Sequence, residues 1–272
     1  MHRISHVVDE LREQLDRPVF NPLIKRWVGL GELDYERYLA TTELLNLQSP
    51  RSDLVSADEL MFQIVHQAQE LWLKLLACEL VEIVGELESA LYWEATARLD
   101  RAHRIVGTLT RELNVLETLT PDAYQIIRSH LGDGSGQESP GYNAVRSSAQ
   151  GLATCVDNVI AREQSTLESI YQAGTRPDLK RIMEQLVDLD VGFQSWLVAH
   201  FMLVRRTIGV DKKIKALDVV SCEVRPVRLS KPLFPRLWQV RLELTSRWTR
   251  EAGTRPGEPR SPHHQTSEGE PE

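Results

Sequence analysis

The stretch Met61-Phe-Gln-Ile-Val-His-Gln-Ala-Gln-Glu-Leu-Trp-Leu-Lys-Leu-Leu76 lies at the centre of the segment that decides the fold, residues 58–88. This segment has no proline and no glycine before Gly85, and strong helix-forming residues fill it. It therefore predicts one long α-helix. Ser56 and Glu59 have the Ser-x-x-Glu spacing of a capping box at the start of that helix.

One face of this predicted helix places an imidazole within an apolar stripe. Phe62, His66 and Leu73 share that face with Gln69 or Glu70, because residues three and four apart are neighbours on a helix. His66 has two interpretations. It is a core histidine bonded to a backbone carbonyl, as buried polar groups normally are, or it faces a pocket and handles a proton or a ligand.

Residues 177–208 predict a second long helix, because their apolar residues keep helical spacing. His200 lies within the apolar stripe of that helix, four residues after Trp196. It repeats the situation of His66 on a different helix. Two such histidines make the core interpretation less favoured for each.

A shorter helix is predicted to begin at Thr120-Pro-Asp, with Thr120 as the cap and Pro121 in the first turn. Tyr124 and Arg128 follow four residues apart, so both point the same way. The glycine-rich stretch 131–141 comes next. It lacks the strand-loop-helix context and the Gly-Lys-Ser/Thr ending of a phosphate loop, which argues against nucleotide binding there.

Composition excludes several classes of protein. The chain has 272 residues, 42% hydrophobic and 26% charged, and a formal net charge of -7, so it has no overall basic footprint for nucleic acid. Cys78, Cys155 and Cys222 are far apart without CxxC spacing, which argues against a disulfide scaffold or a cysteine-zinc site. The charged N-terminus is unlike a signal peptide, and no apolar run approaches the roughly 18 residues of a membrane helix. We expect a soluble cytoplasmic protein.

The predicted fold is all-α, with several long helices packed around residues 58–88 and 177–208 and no internal repeat. Alternation typical of a strand occurs only over residues 217–228. Further helices are predicted by the spacing of apolar residues: 3–16, 34–47, 91–118, 142–173 and 233–250.

Three segments are predicted along the chain. Residues 1–30 form an N-terminal amphipathic helix and a connector that carries Trp27. Residues 31–250 form the main helical domain, and residues 251–272 form a disordered tail rich in Gly, Pro and charge.

Five motifs in the same order resemble the tryptophan 2,3-dioxygenase family of haem proteins, over about residues 30–245. Each motif alone is weakly specific, and the shared order is strongly so. They are Tyr35-Glu-Arg-Tyr-Leu39, Phe62-Gln-Ile-Val-His66-Gln-x-x-Glu-Leu-Trp72, Tyr124-x-x-x-Arg128 followed by Leu131-Gly and Ser135-Gly, Trp196-x-x-x-His200 followed by Arg206-Thr-Ile-Gly, and Phe234-Pro-Arg-Leu-Trp238.

The resemblance implies an all-helical haem-binding fold with haem b, and it implies that His200 is the axial ligand of the haem iron. On the opposite face it implies an apolar pocket in which Phe62 and His66 contact the substrate, with His66 hydrogen-bonded to the indole nitrogen. Arg128 is then a bidentate clamp for the carboxylate of an amino acid, supported by Tyr124. The alternative for Arg128 is a surface salt bridge.

The family's tyrosine-rich segment reaches into the pocket of a neighbouring subunit. The resemblance therefore implies that Tyr35, Tyr38 and Leu39 contribute to substrate binding from a second copy, in a homo-oligomer expected to be a tetramer. It also adds Ser135 to the substrate-binding residues.

Two departures from the family pattern leave the reaction open. A flexible Gly-Thr-Gly-Gly-type loop of the family is replaced after Gly209 by Val-Asp-Lys-Lys-Ile-Lys-Ala-Leu-Asp, and Ser135-Gly-Gln-Glu-Ser139 lacks a Phe of the family. Because a closing loop excludes water and fixes substrate geometry, its loss affects the reaction outcome more than haem binding. The outcomes are dioxygenation of L-tryptophan, addition of one oxygen from O2 or peroxide to tryptophan or a substituted tryptophan to give an oxindole, and hydroxylation of tyrosine. A haem-binding or ligand-binding sensor without turnover is the alternative outside the enzymes.

Overall fold

A computed structural model describes residues 2–15, 22–28, 33–131, 138–171, 176–209 and 231–247. Every regular element in these ranges is helical, which confirms the all-α prediction. The α-helices are α1 His2–Leu15, α2 Pro22–Val28, α3 Asp34–Leu39, α4 Thr41–Leu44, α5 Glu59–Glu88, α6 Tyr92–Leu116, α7 Pro121–Arg128, α8 Pro140–Arg162, α9 Leu167–Tyr171, α10 Pro177–Ile208 and α11 Pro235–Arg247, with a 3-10 turn at Arg51–Asp53.

The two long helices begin and end close to their predicted limits, because an unbroken apolar periodicity is the strongest local signal. Shorter elements differ from the predictions. The predicted connector contains α2, which begins with Pro22, a residue whose fixed φ suits the first position of a helix. The predicted helix 34–47 divides at Ala40, which has a left-handed backbone with φ 49°, and the helix 142–173 divides near Gln164, with φ 50°. The predicted strand at 217–228 and the tail lie outside the described residues.

The chain divides into two compact units, Met1–Ile64 and Val65–Glu272. In the first unit, Ser49 and Gln63 exchange hydrogen bonds, with the Ser49 N–H 2.8 Å from Gln63 Oε1. Apolar side chains of α1 and α2 are nevertheless exposed. They are Val7, Val8, Leu11, Leu15, Leu23, Ile24 and Trp27.

The second unit is built around α10, which packs along α6 and contacts α7, α9 and α11. Gly192 allows α10 to approach α6 closely, since a Cβ there would lie 3.2 Å from Val106 Cγ1. By length and composition α10 meets the requirements of a membrane span. It also supplies core residues of this unit, among them Leu186 and Phe193, and helices of this kind in a protein core pass the same test.

An ion-pair cluster joins α5 to α6 across their short connection. Glu79 is buried on α5, and its two oxygens accept hydrogen bonds from Arg98 at 3.1 Å and Arg101 at 2.8 Å. Arg98 also pairs with Glu86, and the hydrogen bond to Glu86 is the main reason that the pKa of Arg98 is raised. A buried carboxylate needs such partners, so this cluster fixes the α5–α6 pair.

Candidate haem and substrate site

His200 lies at the end of a row of aromatic rings on α10. Tyr142 of α8 stacks on Phe193, with ring centroids 6.0 Å apart and an interplanar angle of 12°. Phe193 contacts Trp196 at 5.4 Å, and the Trp196 ring lies 6.5 Å from the His200 imidazole. Phe193 and Trp196 are buried, whereas His200 is partly exposed. The helix therefore presents one imidazole at the edge of an aromatic wall.

Trp196 also carries an unsatisfied donor. Its side chain is 6% exposed, and no acceptor among the described residues lies within hydrogen-bonding distance of its buried Nε1. Buried indole N–H groups normally find a partner. Among the described residues, this unpaired donor therefore lies one turn before His200.

His66 is exposed on α5, so the interpretation of His66 as a core histidine is wrong. The structure does contain a histidine of that kind. His103 of α6 is partly buried, and its Nε2 lies 2.8 Å from the backbone carbonyl of Gln185. His66, in contrast, lies on an exposed face of α5.

The neighbours of His66 within its motif join α5 to α6. Gln69 is buried and donates to the Leu109 carbonyl at 3.2 Å, while Trp72 Nε1 donates to Glu112 Oε1 at 2.7 Å. Burial raises the pKa of Glu112, and the Trp72 hydrogen bond opposes that rise in part. Two polar residues of this sequence motif, Gln69 and Trp72, therefore serve the scaffold.

Glu70 joins α5 to the start of α8. Its Oε2 accepts from the Gly141 N–H at 2.9 Å, and its Oε1 accepts from the Ser139 hydroxyl. The sequence analysis assigned Glu70 no role of its own within the Phe62–Trp72 motif. Its partners lie about 70 positions further along the chain, so no local pattern in the sequence indicates this contact.

Helix α7 carries Tyr124 and Arg128, and it packs against α10. Thr120 caps it, accepting from the Ala123 N–H at 3.4 Å as the sequence predicted, and Ile127 anchors it in the core. Tyr124 and Arg128 are both partly exposed. No carboxylate among the described residues pairs with the Arg128 guanidinium, so in this part of the chain the salt-bridge alternative has no partner.

The motif at Phe234–Trp238 is bound to α10 by hydrogen bonds to one buried carboxylate. Asp190 of α10 is fully buried, and its Oδ2 accepts from the Phe234 N–H at 3.1 Å and from Trp238 Nε1 at 2.9 Å. Gln194 donates to the other oxygen at 2.8 Å. This carboxylate fixes the start of α11 on α10 ten residues before His200, and the sequence motif did not reveal it.

The remaining predicted site residues lie in the first unit or outside the described ranges. Tyr35, Tyr38 and Leu39 are exposed, Tyr38 by 88%, and Phe62 is partly exposed one turn before His66 on α5. Ser135 lies outside the described residues. Apart from α7 packing on α10, the structure therefore leaves the joint placement of these residues as a prediction.

An open cavity of about 430 Å³ occurs elsewhere, between α8, α9 and α11. Asp157, Glu168, Arg236 and Glu243 line it, and the Arg236 guanidinium pairs with Asp157. It contains none of the predicted site residues. We therefore place the candidate site at the aromatic wall and α7 rather than in this polar cavity.

The donor groups at this wall fit a haem better than a bare metal ion. A bare ion needs several protein ligands, and no group of three or more His, Cys, Asp or Glu side chains comes together in the described ranges. A haem iron needs one axial imidazole from the chain. His200 offers one beside apolar rings and an unpaired buried N–H donor.

Comparison with known proteins points to the same family. The family model for tryptophan 2,3-dioxygenase matches residues 25–148. A tryptophan 2,3-dioxygenase of Herpetosiphon aurantiacus is 28% identical over 261 residues, covering 78% of this chain and 98% of that protein. Those of Xanthomonas euvesicatoria and Xanthomonas oryzae are 29% identical over 262 residues, covering 78% of this chain and 87% and 88% of theirs.

The chain is similar to the tryptophan 2,3-dioxygenase family. The resemblance inferred from the five motifs is thereby confirmed. The family-model match includes α5 and α7, with His66, Tyr124 and Arg128, and ends at residue 148, before α10. The assignment of His200 therefore rests on its sequence motif and on the aromatic wall around it.

Proposed function

We propose that this protein is a haem-dependent oxygenase of L-tryptophan that works in the cytoplasm. The observation that carries the proposal is the packing of α7, with Tyr124 and Arg128, against α10, with His200. One helix offers a ligand for a haem iron, and its neighbour offers a guanidinium with no carboxylate partner among the described residues. Similarity to the tryptophan 2,3-dioxygenase family supports the interpretation of this pair of helices as a haem and substrate site.

In this proposal His200 holds haem b as the axial ligand, with Trp196 and Phe193 as the apolar wall on its side. The haem iron supplies the redox chemistry that makes dioxygen reactive toward an indole ring. The chain keeps the imidazole of His200 in place through α10, which packs along α6.

Substrate recognition is assigned to α5 and α7. Arg128 binds the carboxylate of the amino acid in a bidentate manner, for which a planar guanidinium is better suited than an ammonium group. Tyr124 lies one turn before it and supports the same carboxylate. His66 hydrogen-bonds the indole N–H and orients the ring, with Phe62 packing against the ring. Ser135 is assigned to the same pocket by the family resemblance.

We further propose a homo-oligomer, with a tetramer as the expected state. Tyr35, Tyr38 and Leu39 are exposed in the single chain, as are the apolar side chains of α1. An amphipathic helix with an exposed apolar face gains stability when a partner covers it. Tyr35, Tyr38 and Leu39 then complete the pocket of a neighbouring subunit.

The second candidate is insertion of a single oxygen, from O2 or peroxide, into tryptophan or a substituted tryptophan. The sequence after Gly209 supports it, because the family's glycine- and threonine-rich loop is replaced there by a lysine-rich segment. A pocket closed differently excludes water less completely and orients the ring differently. Tyrosine hydroxylation and a sensor without turnover are the remaining outcomes.

The test is a product mass. Ferrous haem-loaded protein is offered O2 (or peroxide to the ferric form) with tryptophan, β-methyltryptophan or tyrosine. A product of tryptophan that gains two oxygen atoms supports the dioxygenase, and a gain of one oxygen atom supports the second candidate. Oxygenation of tyrosine alone would replace the proposed substrate, and no product from any aromatic amino acid would favour the sensor.

A further inference from the structure

The start of α8 contacts both helices that carry the candidate histidines. On one side is Glu70, one turn after His66 on α5, which accepts hydrogen bonds from the Gly141 N–H at 2.9 Å and from Ser139. Ser139 is at the same time the cap of α8, because its Oγ accepts from the Tyr142 N–H at 3.0 Å. The Glu70 carboxylate therefore bonds to the cap of α8 and to a free N–H of its first turn.

At Gly141, α8 approaches α5 too closely to leave room for a side chain. A Cβ on Gly141 would lie 2.7 Å from Glu70 Oε2 and 2.7 Å from the Cβ of Leu73. Both distances are shorter than the contacts that Cβ atoms make in proteins. The separation between the two helices at this point is therefore set by a glycine and by two hydrogen bonds to one side chain.

The first turn of α8 also contacts α10, through Tyr142. Tyr142 stacks on Phe193 at 6.0 Å, Phe193 contacts Trp196 at 5.4 Å, and Trp196 contacts His200 at 6.5 Å. Phe193 and Trp196 are buried, and close-packed side chains transmit a displacement because they have few alternative arrangements. A continuous series of contacts thus runs from Glu70 through the first turn of α8 to the imidazole of His200.

We propose that Glu70 is a positioning residue that sets the separation between the His66 and His200 helices through the first turn of α8. Glu70 contacts neither the haem nor the substrate in this role. Its removal frees the Gly141 N–H and the Ser139 hydroxyl, releases Tyr142 from its fixed place against Phe193, and so loosens the wall beside His200. The proposal rests on the proposed function only in placing a haem between the two histidines.

The test compares Glu70→Ala with Glu70→Gln and with the control Lys74→Ala. Glutamine can accept from the Gly141 N–H with its oxygen and donate to Ser139 with its amide, so it should restore the clamp. Lys74 is exposed one turn further along α5, and no described residue bonds to its side chain. Gly141→Ala is a second variant, which disturbs the same contact by a steric clash while Glu70 itself is unchanged.

Two readouts separate positioning from a general loss of folded protein. The first is kcat/KM for tryptophan per bound haem, which a lower folded fraction does not change. We expect Glu70→Ala and Gly141→Ala to lose about 10-fold or more, and Glu70→Gln and Lys74→Ala to stay within about threefold of wild type. The second is the iron–histidine vibration of the ferrous protein, which needs no turnover and should shift only in Glu70→Ala and Gly141→Ala.

Wild-type kcat/KM per haem and an unshifted iron–histidine vibration in Glu70→Ala would overturn the proposal. The same holds if Lys74→Ala changes both readouts as much as Glu70→Ala does. A wild-type protein that binds haem but oxygenates nothing refutes the proposed function, while the vibration still decides the role of Glu70. A wild-type protein that takes up no haem removes both proposals.

Discussion

Residues of the family motifs occupy two different kinds of region in the second unit. Gln69, Trp72 and Trp238 lie at helix contacts, where each donates a hydrogen bond to another helix. His66 is exposed and Arg128 is partly exposed, and both are proposed to bind the substrate. The difference indicates that a motif shared by a family contains both scaffold and site, and that substitutions should separate the two by their effects on unfolding and on catalysis.

The largest effect is expected at the most buried scaffold residue, Asp190. Asp190→Ala leaves the Phe234 N–H and Trp238 Nε1 without their acceptor, which should lower the free energy of unfolding by about 3 to 5 kcal/mol. Urea unfolding followed by circular dichroism measures it. Asp188→Ala is the matched control, because Asp188 is exposed on the same helix. Equal losses in the two variants would show that the hydrogen bonds to Asp190 stabilise nothing.

Substitution of Arg128 should lower catalysis and leave the stability of the fold unchanged. Arg128→Ala removes a bidentate contact to the substrate carboxylate, which should lower kcat/KM by roughly 30- to 1000-fold, or about 2 to 4 kcal/mol, mainly through KM. The free energy of unfolding should stay near wild type. Arg104→Ala, at an exposed position of α6, is the control. Substrate affinity that survives Arg128→Ala would remove Arg128 from the pocket.

His66 and His103 allow site and scaffold to be compared at the same residue type. His66→Ala should lower kcat by about 10- to 100-fold at nearly unchanged stability, since His66 orients the indole or manages a proton. His103→Ala should lower stability by about 1 kcal/mol or more, because it breaks the bond to the Gln185 carbonyl. Steady-state kinetics and urea unfolding of both variants decide this. The distinction between scaffold and site fails if His103→Ala is the more damaging to kcat.

The smallest effect is a pH dependence at Glu112 on the scaffold side. Burial raises the pKa of Glu112 in the folded protein above its ordinary value. The folded state therefore binds this proton more tightly than the unfolded state, and the stability contributed by the protonated form is lost as pH rises through the raised pKa. Relative to Glu112→Gln, wild-type stability should fall by less than about 1 kcal/mol between about pH 4 and about pH 7. Parallel curves for the two proteins would contradict this.

The sequence predicted the features of the fold that depend on a local pattern of residues. Unbroken periodicity placed α5 and α10 almost to the residue, and Thr120 with Pro121 placed the start of α7. Family resemblance supplied the roles of His66, Arg128 and His200, which remain predictions. The contacts of Glu70 and Asp190 were missed because their partners are 44 to 71 positions away and single residues carry no sign of them.

The sequence also failed to predict the helix break at Ala40 and the partner of the exposed apolar residues. The break at Ala40 needs a left-handed backbone at a residue that usually favours helix, so no local preference in the sequence predicted it. Exposed apolar residues on α1 and at Tyr35 and Tyr38 have a helical pattern that predicts the helix and not its partner. For that partner the sequence offers only the family's homo-oligomer.

The most direct test of the central claim is the absorption spectrum of the protein after titration with haemin, compared among wild type, His200→Ala and His66→Ala. The account predicts a Soret band at one haem per chain in the wild type, retained in His66→Ala and largely lost in His200→Ala. A His200→Ala protein with the haem content and spectrum of the wild type would contradict the account, as would a His66→Ala protein that holds no haem.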